Sequence, residues 1–183
     1  EPGIAELNNI PSNIGEKDYR YRAAALRSAI RYDRGNLGWS MIEKLRNDKS
    51  AHVRRIILTH LRDFPYSKKK SVLLDQVLSG DMKDRTYLEA VGLAADGDED
   101  SLWADYCKVR KISDANYWDR QAHLLAWRLH GDSMIEDMVN RMLMKEVSPE
   151  HRKELVASLA MNRTATAFKG MQKVYRQSKD EGV

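Results

Sequence analysis

Hydrophobic and polar positions follow a helical period along nearly the whole chain. Residues 48–61 show the pattern clearly, because apolar side chains recur three and four positions apart at Val53, Ile57, Leu58 and Leu61. This spacing is typical of an amphipathic helix that buries one face and exposes the other. The pattern therefore predicts a helix over this stretch, with its apolar face turned toward a core.

The same pattern begins at Asp18 and continues to Gln177, interrupted only by short clusters rich in glycine, proline, asparagine, aspartate and serine. Such clusters are typical of turns. They predict ten helices of roughly 12–16 residues each, close to the usual length in globular proteins. The predicted breaks fall at 34–36, 64–65, 79–81, 96–98, 112–114, 131–132, 147–149 and 162–164.

Three regions follow from this pattern. Residues 1–15 contain two prolines, two glycines and paired asparagines, which predicts a linker or an N-terminal strap. Residues 16–178 form the predicted helical domain, and residues 179–183 a short tail. We expect the helices to pair in order, giving five antiparallel hairpins.

One arginine recurs in a fixed register through the five predicted hairpins: Arg22, Arg54, Arg85, Arg120 and Arg152. A residue type that caps helix N-termini lies four positions before each arginine, namely Asp18, Ser50, Asp81, Asn116 or Ser148. An acid lies six positions before four of the arginines, namely Glu16, Asp48, Asp114 or Glu146, and the third copy has Ser79 instead. The acid–arginine pairs are predicted to form a structural ladder that bridges neighbouring copies.

The period, the paired helices and the residues Asp48, Val53 and Arg54 resemble HEAT and armadillo-like repeats over residues 16–178. The resemblance implies an all-α fold, a right-handed α-solenoid of about five antiparallel hairpins. Stacking is expected on physical grounds as well, because one hairpin cannot bury its own apolar stripe and several stacked copies can. Solenoids of this kind serve many functions, so the resemblance predicts the fold better than the function.

Composition is compatible with a soluble, folded protein of mixed surface charge. Hydrophobic residues make up 42% and charged residues 32%, and no apolar run approaches the ~20 residues that a membrane span needs. The formal net charge is only +4, which is mild for a nucleic-acid-binding protein. Cys107 is the one cysteine, so no internal disulfide can form and the compartment stays open.

No arrangement of residues predicts a catalytic, cofactor or metal site. Asp96, Asp98 and Asp100 alternate like the first ligands of a calcium loop, but the sixth position is Ser101 and the twelfth is Cys107, where that loop needs Gly and Glu. The five histidines are spaced too far apart on their helices to share one zinc ion. We expect a protein without catalytic residues, metal or cofactor.

Basic residues recur on the second helix of every predicted pair. In a HEAT-like stack the second helices line the concave side, so these residues could form a positive stripe facing a partner; the alternative is an ordinary solvated face, because acids interrupt the series. The candidate stripe comprises Lys44, Arg46, Lys68, Lys69, Lys70, Lys108, Arg110, Lys111, Arg141, Lys145, Lys169, Lys173 and Arg176.

The segment Lys83–Gly97 (KDRTYLEAVGLAADG) resembles part of large secreted bacterial proteins, best known from planctomycetes. Those proteins join a propeller-type, dehydrogenase-like domain to helical repeats and a cytochrome-like haem domain. The resemblance implies a repeat-bearing middle domain of an exported protein, whose partners are flanking domains or another protein chain. The sequence has no Cys-x-x-Cys-His motif, so no haem attachment is expected in these residues.

A second segment supports a different function. Tyr117, Trp118, Asp119 and Arg120, with the two residues that follow, resemble part of the HEAT-like alkylpurine DNA glycosylases. That resemblance implies a basic groove that holds DNA with aromatic side chains and an aspartate, although the family's second tryptophan–aspartate motif is not identified in this sequence. We therefore expect a non-catalytic scaffold or protein-interaction module, with DNA binding of the glycosylase type as the alternative.

Overall fold

The structure, a computed structural model, describes residues 14–78 and 84–177. Ten α-helices and no strand lie in these residues, which confirms the all-α prediction. The helices contain 7 to 14 residues, so several are shorter than predicted. They are α1 (Tyr19–Tyr32), α2 (Trp39–Leu45), α3 (Ala51–Leu61), α4 (Lys68–Leu78), α5 (Arg85–Ala94), α6 (Glu99–Arg110), α7 (Arg120–Leu129), α8 (Ile135–Met142), α9 (Pro149–Met161) and α10 (Ala165–Gln177).

The chain divides into two compact units, Glu1–Ala94 and Ala95–Val183. In the first unit α1 packs on α3 and α3 packs on α5, so alternate helices are neighbours. Helix α2 contacts α1 and α3, and α4 contacts α3. The apolar faces meet in a core in which Leu26, Ile42, Ile57, Leu58 and Leu61 are fully buried.

The second unit repeats this arrangement with its own helices. Helix α7 packs on α6 and on α9, and α8 packs on α9 and α10. Leu125, Met134, Leu155 and Leu159 are fully buried between them. The helix periodicity of the sequence therefore identifies the buried faces of both units.

Three of the five predicted helix starts agree with the structure. Asp18 accepts a hydrogen bond from the amide of Arg20 at the start of α1, and Ser148 accepts one from His151 at the start of α9. Ser50 occupies the same position before α3, although its hydroxyl caps no amide there. In these three helices the recurring arginine is the fourth residue.

The other two predicted caps are not the capping residues of the helices that follow. Asp81 lies outside the described residues, and the carboxylate of Asp84 accepts from the amides of Thr86 and Tyr87 to cap α5. Asn116 lies in a short 3₁₀ turn, and Asp119 caps α7 by accepting from Ala122. A carboxylate directly before the arginine thus moves the helix start forward, so Arg85 and Arg120 are first residues of their helices.

The turn between α1 and α2 is a π-helical segment, Arg34–Gly38. The carboxylate of Asp33 accepts from the amides of Asn36 and Leu37 and fixes the turn. A side chain at Gly38 would place its Cβ only 2.9 Å from the Cα of Ile30. Glycine at this position therefore permits the close approach of α2 to α1.

Candidate functional site

Arg22 and Asp48 join the first hairpin to the second. Arg22 donates from Nε to one carboxylate oxygen of Asp48 at 2.6 Å and from Nη2 to the other at 2.7 Å. The Asp48 carboxylate also accepts from the amide of Ser50, and its side chain is 4% exposed against 12% for Arg22. Burial raises the pKa of Asp48, but the bonds from Arg22 and Ser50 outweigh burial, so the pKa lies below its usual value.

The remaining guanidinium nitrogen of Arg22 donates to the backbone carbonyls of Glu16 and Lys17. Arg54 likewise donates to the carbonyl of Asp48, and its guanidinium lies 5.8 Å from the ring centre of Tyr87 on α5. An arginine therefore does contact the residue six positions earlier, but through that residue's carbonyl. The carboxylate of Asp48 therefore remains available to accept from Arg22, the corresponding arginine one predicted copy earlier.

The ladder residues of the later copies differ from the predicted pattern. Arg152 donates to the carbonyl of Met144, and exposed Arg85 pairs with Glu89 one turn along its own helix at 3.2 Å. Asp114 caps the 3₁₀ turn by accepting from Asn116, and Glu146 is exposed in the turn before α9. The acids thus recur at regular positions along the repeat, whereas their contacts depend on where each helix starts.

A cluster of charged and titratable side chains joins α7 to α9 in the second unit. Arg120 donates two hydrogen bonds to the carboxylate of Glu154, at 2.6 and 3.0 Å. His123, only 2% exposed, contacts the same carboxylate through Nε2 at 2.8 Å. The His151 ring lies 4.7 Å from the His123 ring, centre to centre. The sequence predicts Arg120 as a structural residue of the ladder, but it does not predict the partner Glu154 or the buried His123.

Burial lowers the pKa of His123 to about 4, although the contact with Glu154 acts in the opposite direction. The hydrogen bonds from Arg120 and His123 hold the pKa of Glu154 below its usual value. The Nδ1 atom of His123 is buried and has no hydrogen-bond partner. The ring is therefore neutral near pH 7, with the proton on Nε2 donated to Glu154.

The surroundings of Cys107 and of Asp100 argue against a reactive nucleophile and against a metal ligand. Burial raises the pKa of Cys107 to about 11, so the thiol is protonated and a poor nucleophile. Asp100 accepts hydrogen bonds from the amide and hydroxyl of Ser133. Across residues 14–78 and 84–177, no group of three histidine, cysteine or carboxylate side chains is placed to hold a metal ion.

In the first unit one predicted residue of the candidate stripe, Lys70, is buried, and the others border surface grooves. Lys70 is 1% exposed and donates from Nζ to the carbonyl of Phe64, so it does not lie on a surface and is removed from the stripe. Lys68 and Lys69 line a groove of about 260 Å³ with Arg46 and Glu43. Lys69 pairs with Glu43 and lies over the ring of Trp39, and Lys44 borders the open cleft around Asp48.

In the second unit Arg141 is also a structural residue. It donates to the carbonyls of Ala115 and Trp118 and holds the 3₁₀ turn against α8, because its fork of donors matches two carbonyls at once. The other members are exposed and lie on α6, at its end, after α8 or on α10: Lys108, Arg110, Lys111, Lys145, Lys169, Lys173 and Arg176. Each unit thus carries its own part of the predicted stripe.

A more concentrated group of basic side chains lies on the first helices of the first unit. The group borders an open cleft of about 590 Å³, named the α1–α3 cleft, which is lined by Arg27, Ile30, Arg31, Arg34, His60 and Asp63. The predicted stripe lies on second helices and does not include this group. The available signal was the spacing of the three arginines at i, i+4 and i+7, which places them on one side of a helix.

The residues that resemble the DNA glycosylases are occupied in packing and capping. Trp118 is 4% exposed and packs edge-on against Trp103, with ring centres 5.1 Å apart. Asp119 caps α7, whereas Tyr117 is exposed. The buried indole cannot contact DNA without unfolding this turn.

The fold and these sites define an all-α protein in which polar side-chain contacts join neighbouring helices within each unit. No protein-family model, curated protein or solved structure matches the chain. No helix among the described residues is both long enough and apolar enough to cross a membrane.

Proposed function

We propose that the chain is a non-catalytic helical-repeat module, a right-handed HEAT-like solenoid that serves as a scaffold or protein-interaction surface. The resemblance of residues 83–97 supports a place within a larger exported bacterial protein, where such a module would fix the separation of flanking domains.

One observation carries the proposal: polar contacts connect side chains about one repeat apart. Arg22 reaches Asp48, Arg120 and His123 reach Glu154, and the side chain of Asn162 donates to the carbonyl of His130. These partners are separated by 26 to 34 residues along the chain. Contacts at this separation are expected when each copy stacks on the next.

The packing of equivalent helices supports the same proposal. Helices α1, α3 and α5 are neighbours in order in the first unit, and α7 with α9 and α8 with α10 are neighbours in the second. In a repeat stack each copy contacts the copies before and after it. The neutral His123, the protonated Cys107 and the buried Trp118 leave these groups in packing roles rather than in an open catalytic site.

The proposal predicts no base-excision activity. We expect the purified protein to release no alkylated base from a methylated DNA duplex and to bind that duplex weakly near physiological salt. Binding should show little salt dependence, because few phosphates would be contacted. The measurement is base release followed by chromatography, with fluorescence anisotropy for binding. Release of base that is lost in Asp119→Asn would overturn the scaffold proposal in favour of the glycosylase alternative.

A further inference from the structure

The α1–α3 cleft holds more positive charge than its surroundings neutralise. Arg27, Arg31 and Arg34 line it from α1 and the following turn, and Asp63 is the one carboxylate in its lining. Asp63 is already shared, since Arg34 lies 3.6 Å from it and Arg62 3.3 Å. The lining and Arg62 together hold an excess of three positive charges, a large part of the formal net charge of +4.

The three arginines are placed at a cost to the helix. Like charges at i and i+4 on one helix face repel each other by roughly 0.2–0.5 kcal/mol per pair. Arg27 contacts the ring of His52 at 3.5 Å, which adds no neutralising charge, and no carboxylate among the described residues pairs with Arg31. An arrangement that costs the helix stability in this way is expected mainly at functional or strained sites.

The same positive charges affect the pKa of His60, which also lines the cleft. Burial lowers the pKa of its imidazole, and Arg27, Arg34 and Arg62 lower it further against the opposing effect of Asp63. The ring is thus neutral near pH 7 and can exchange hydrogen bonds with a ligand. Ile30, which is 5% exposed, gives the cleft an apolar floor.

The composition of this face is typical of a protein interface. Its cations are all arginines, whose planar forks bind carboxylates through two parallel hydrogen bonds. Tyr19, which is 42% exposed, packs against the ring of His52, and Arg27 contacts the same ring, so a tyrosine adjoins these arginines. Arginine and tyrosine are the residue types enriched at interface hot spots, and lysine is depleted there.

The dimensions of the cleft suit a short extended segment. Arg27 and Arg31 lie about 6 Å apart along the axis of α1, and Arg34 follows in the turn after the helix. Alternate side chains of an extended chain are about 7 Å apart, so two acidic side chains on one side of such a segment span the arginines. A nucleic acid would need positive charge over a longer track than this cleft offers.

We propose that the α1–α3 cleft binds an acidic segment of a protein partner, whose carboxylates pair with Arg27, Arg31 and Arg34. This inference rests on the proposed function as an interaction module and names the chemistry of its partner. The apolar floor at Ile30 accommodates one small hydrophobic side chain of the segment. His60 donates or accepts a hydrogen bond at the end of the cleft.

The test is fluorescence anisotropy with a labelled peptide of about twelve residues in which glutamate alternates with serine, a spacing that puts the carboxylates on one side of an extended chain. We expect saturable binding that weakens with salt, and about tenfold weaker binding of Arg31→Gln, because one bidentate charged pair is lost. A peptide with glutamine in place of glutamate should not bind. The matched control, Lys49→Gln at an exposed position before α3 in the same unit, removes one charge outside the cleft and should bind like the wild type.

A stability measurement separates recognition from folding. Because Arg31→Gln removes a like-charge contact, its melting temperature should equal or exceed that of the wild type. Equal peptide binding by Arg31→Gln and wild type, binding of the glutamine peptide, or absence of binding would overturn the inference. Tighter binding of a DNA duplex than of the acidic peptide would also overturn it, by assigning the arginines to phosphates.

The failure of this inference differs from the failure of the proposed function. If the protein neither binds the peptide nor releases alkylated base, the inference of an acidic partner is wrong and the proposal of a non-catalytic module still stands. If the protein releases base, the proposal of a non-catalytic module is wrong, whether or not the peptide binds.

Discussion

Asp48→Ala is expected to destabilise the first unit by about 2–4 kcal/mol, because breaking a buried ion pair leaves an uncompensated charge. The substitution removes two hydrogen bonds from Arg22 and one from the amide of Ser50. Arg22 cannot lose its charge, since its contact with Asp48 raises an already high pKa. The measurement is chemical denaturation followed by circular dichroism.

Two further variants make the Asp48 result specific. Glu43→Ala removes an exposed ion pair with Lys69 and should change stability by less than about 1 kcal/mol. The double variant Arg22→Ala/Asp48→Ala should be less destabilised than the two single changes added together, because it leaves no buried charge unpaired. If Asp48→Ala were as mild as Glu43→Ala, Arg22 and Asp48 would not join the first two hairpins.

The second large effect concerns pH and the buried histidine of the second unit. His123 has a folded pKa of about 4, below the ordinary value of ~6.5 that it regains in the unfolded chain. The contribution of neutral His123 to the free energy of unfolding is therefore fully present above pH ~6.5 and is lost as the pH falls toward 4. By pH ~5 this loss amounts to about 2 kcal/mol. Between pH ~6.5 and pH ~4, His123 binds a proton in the unfolded chain but not in the folded protein, so a lower pH favours unfolding.

His123→Phe isolates this contribution from the other titrating groups. The variant keeps a planar ring in the core and cannot take up a proton, so its stability should fall less steeply between pH ~7.5 and ~5. Asp48 and Glu154, whose folded pKa values are lowered, lose their stabilisation mainly at lower pH, as pH falls through those values. Parallel pH profiles of wild type and His123→Phe, measured by urea denaturation, would contradict a buried neutral imidazole.

The sequence predicts the helices well because each one has an apolar face and a polar turn at each end. The arginine register also carries real information: Arg22, Arg54 and Arg152 are all fourth residues of their helices and all donate to carbonyls of the preceding turn. The register does not hold at Arg85 and Arg120, because Asp84 and Asp119 directly precede these arginines and cap the helices that begin there.

The sites were harder to predict because they depend on which helices become neighbours. Lys70 has the sequence context of a surface cation, yet its stem is buried and its ammonium group reaches a carbonyl. The pairing of His123 with Glu154 and the cleft between Arg31 and His60 both require the packing of one first helix on the next. A helical period gives the buried face of each helix but not the partner of each polar side chain.

The central claim, that successive first helices stack on one another, is tested most directly by the distance between spin labels on α1 and α5 of the first unit. Exposed Ser28 and Thr86 would be changed to Cys in a Cys107→Ala background. Because α1 packs on α3 and α3 packs on α5, the account predicts one narrow distance distribution at about 20 Å, which corresponds to two interhelical steps of about 10 Å. A broad distribution, or a distance far from this value, would contradict it.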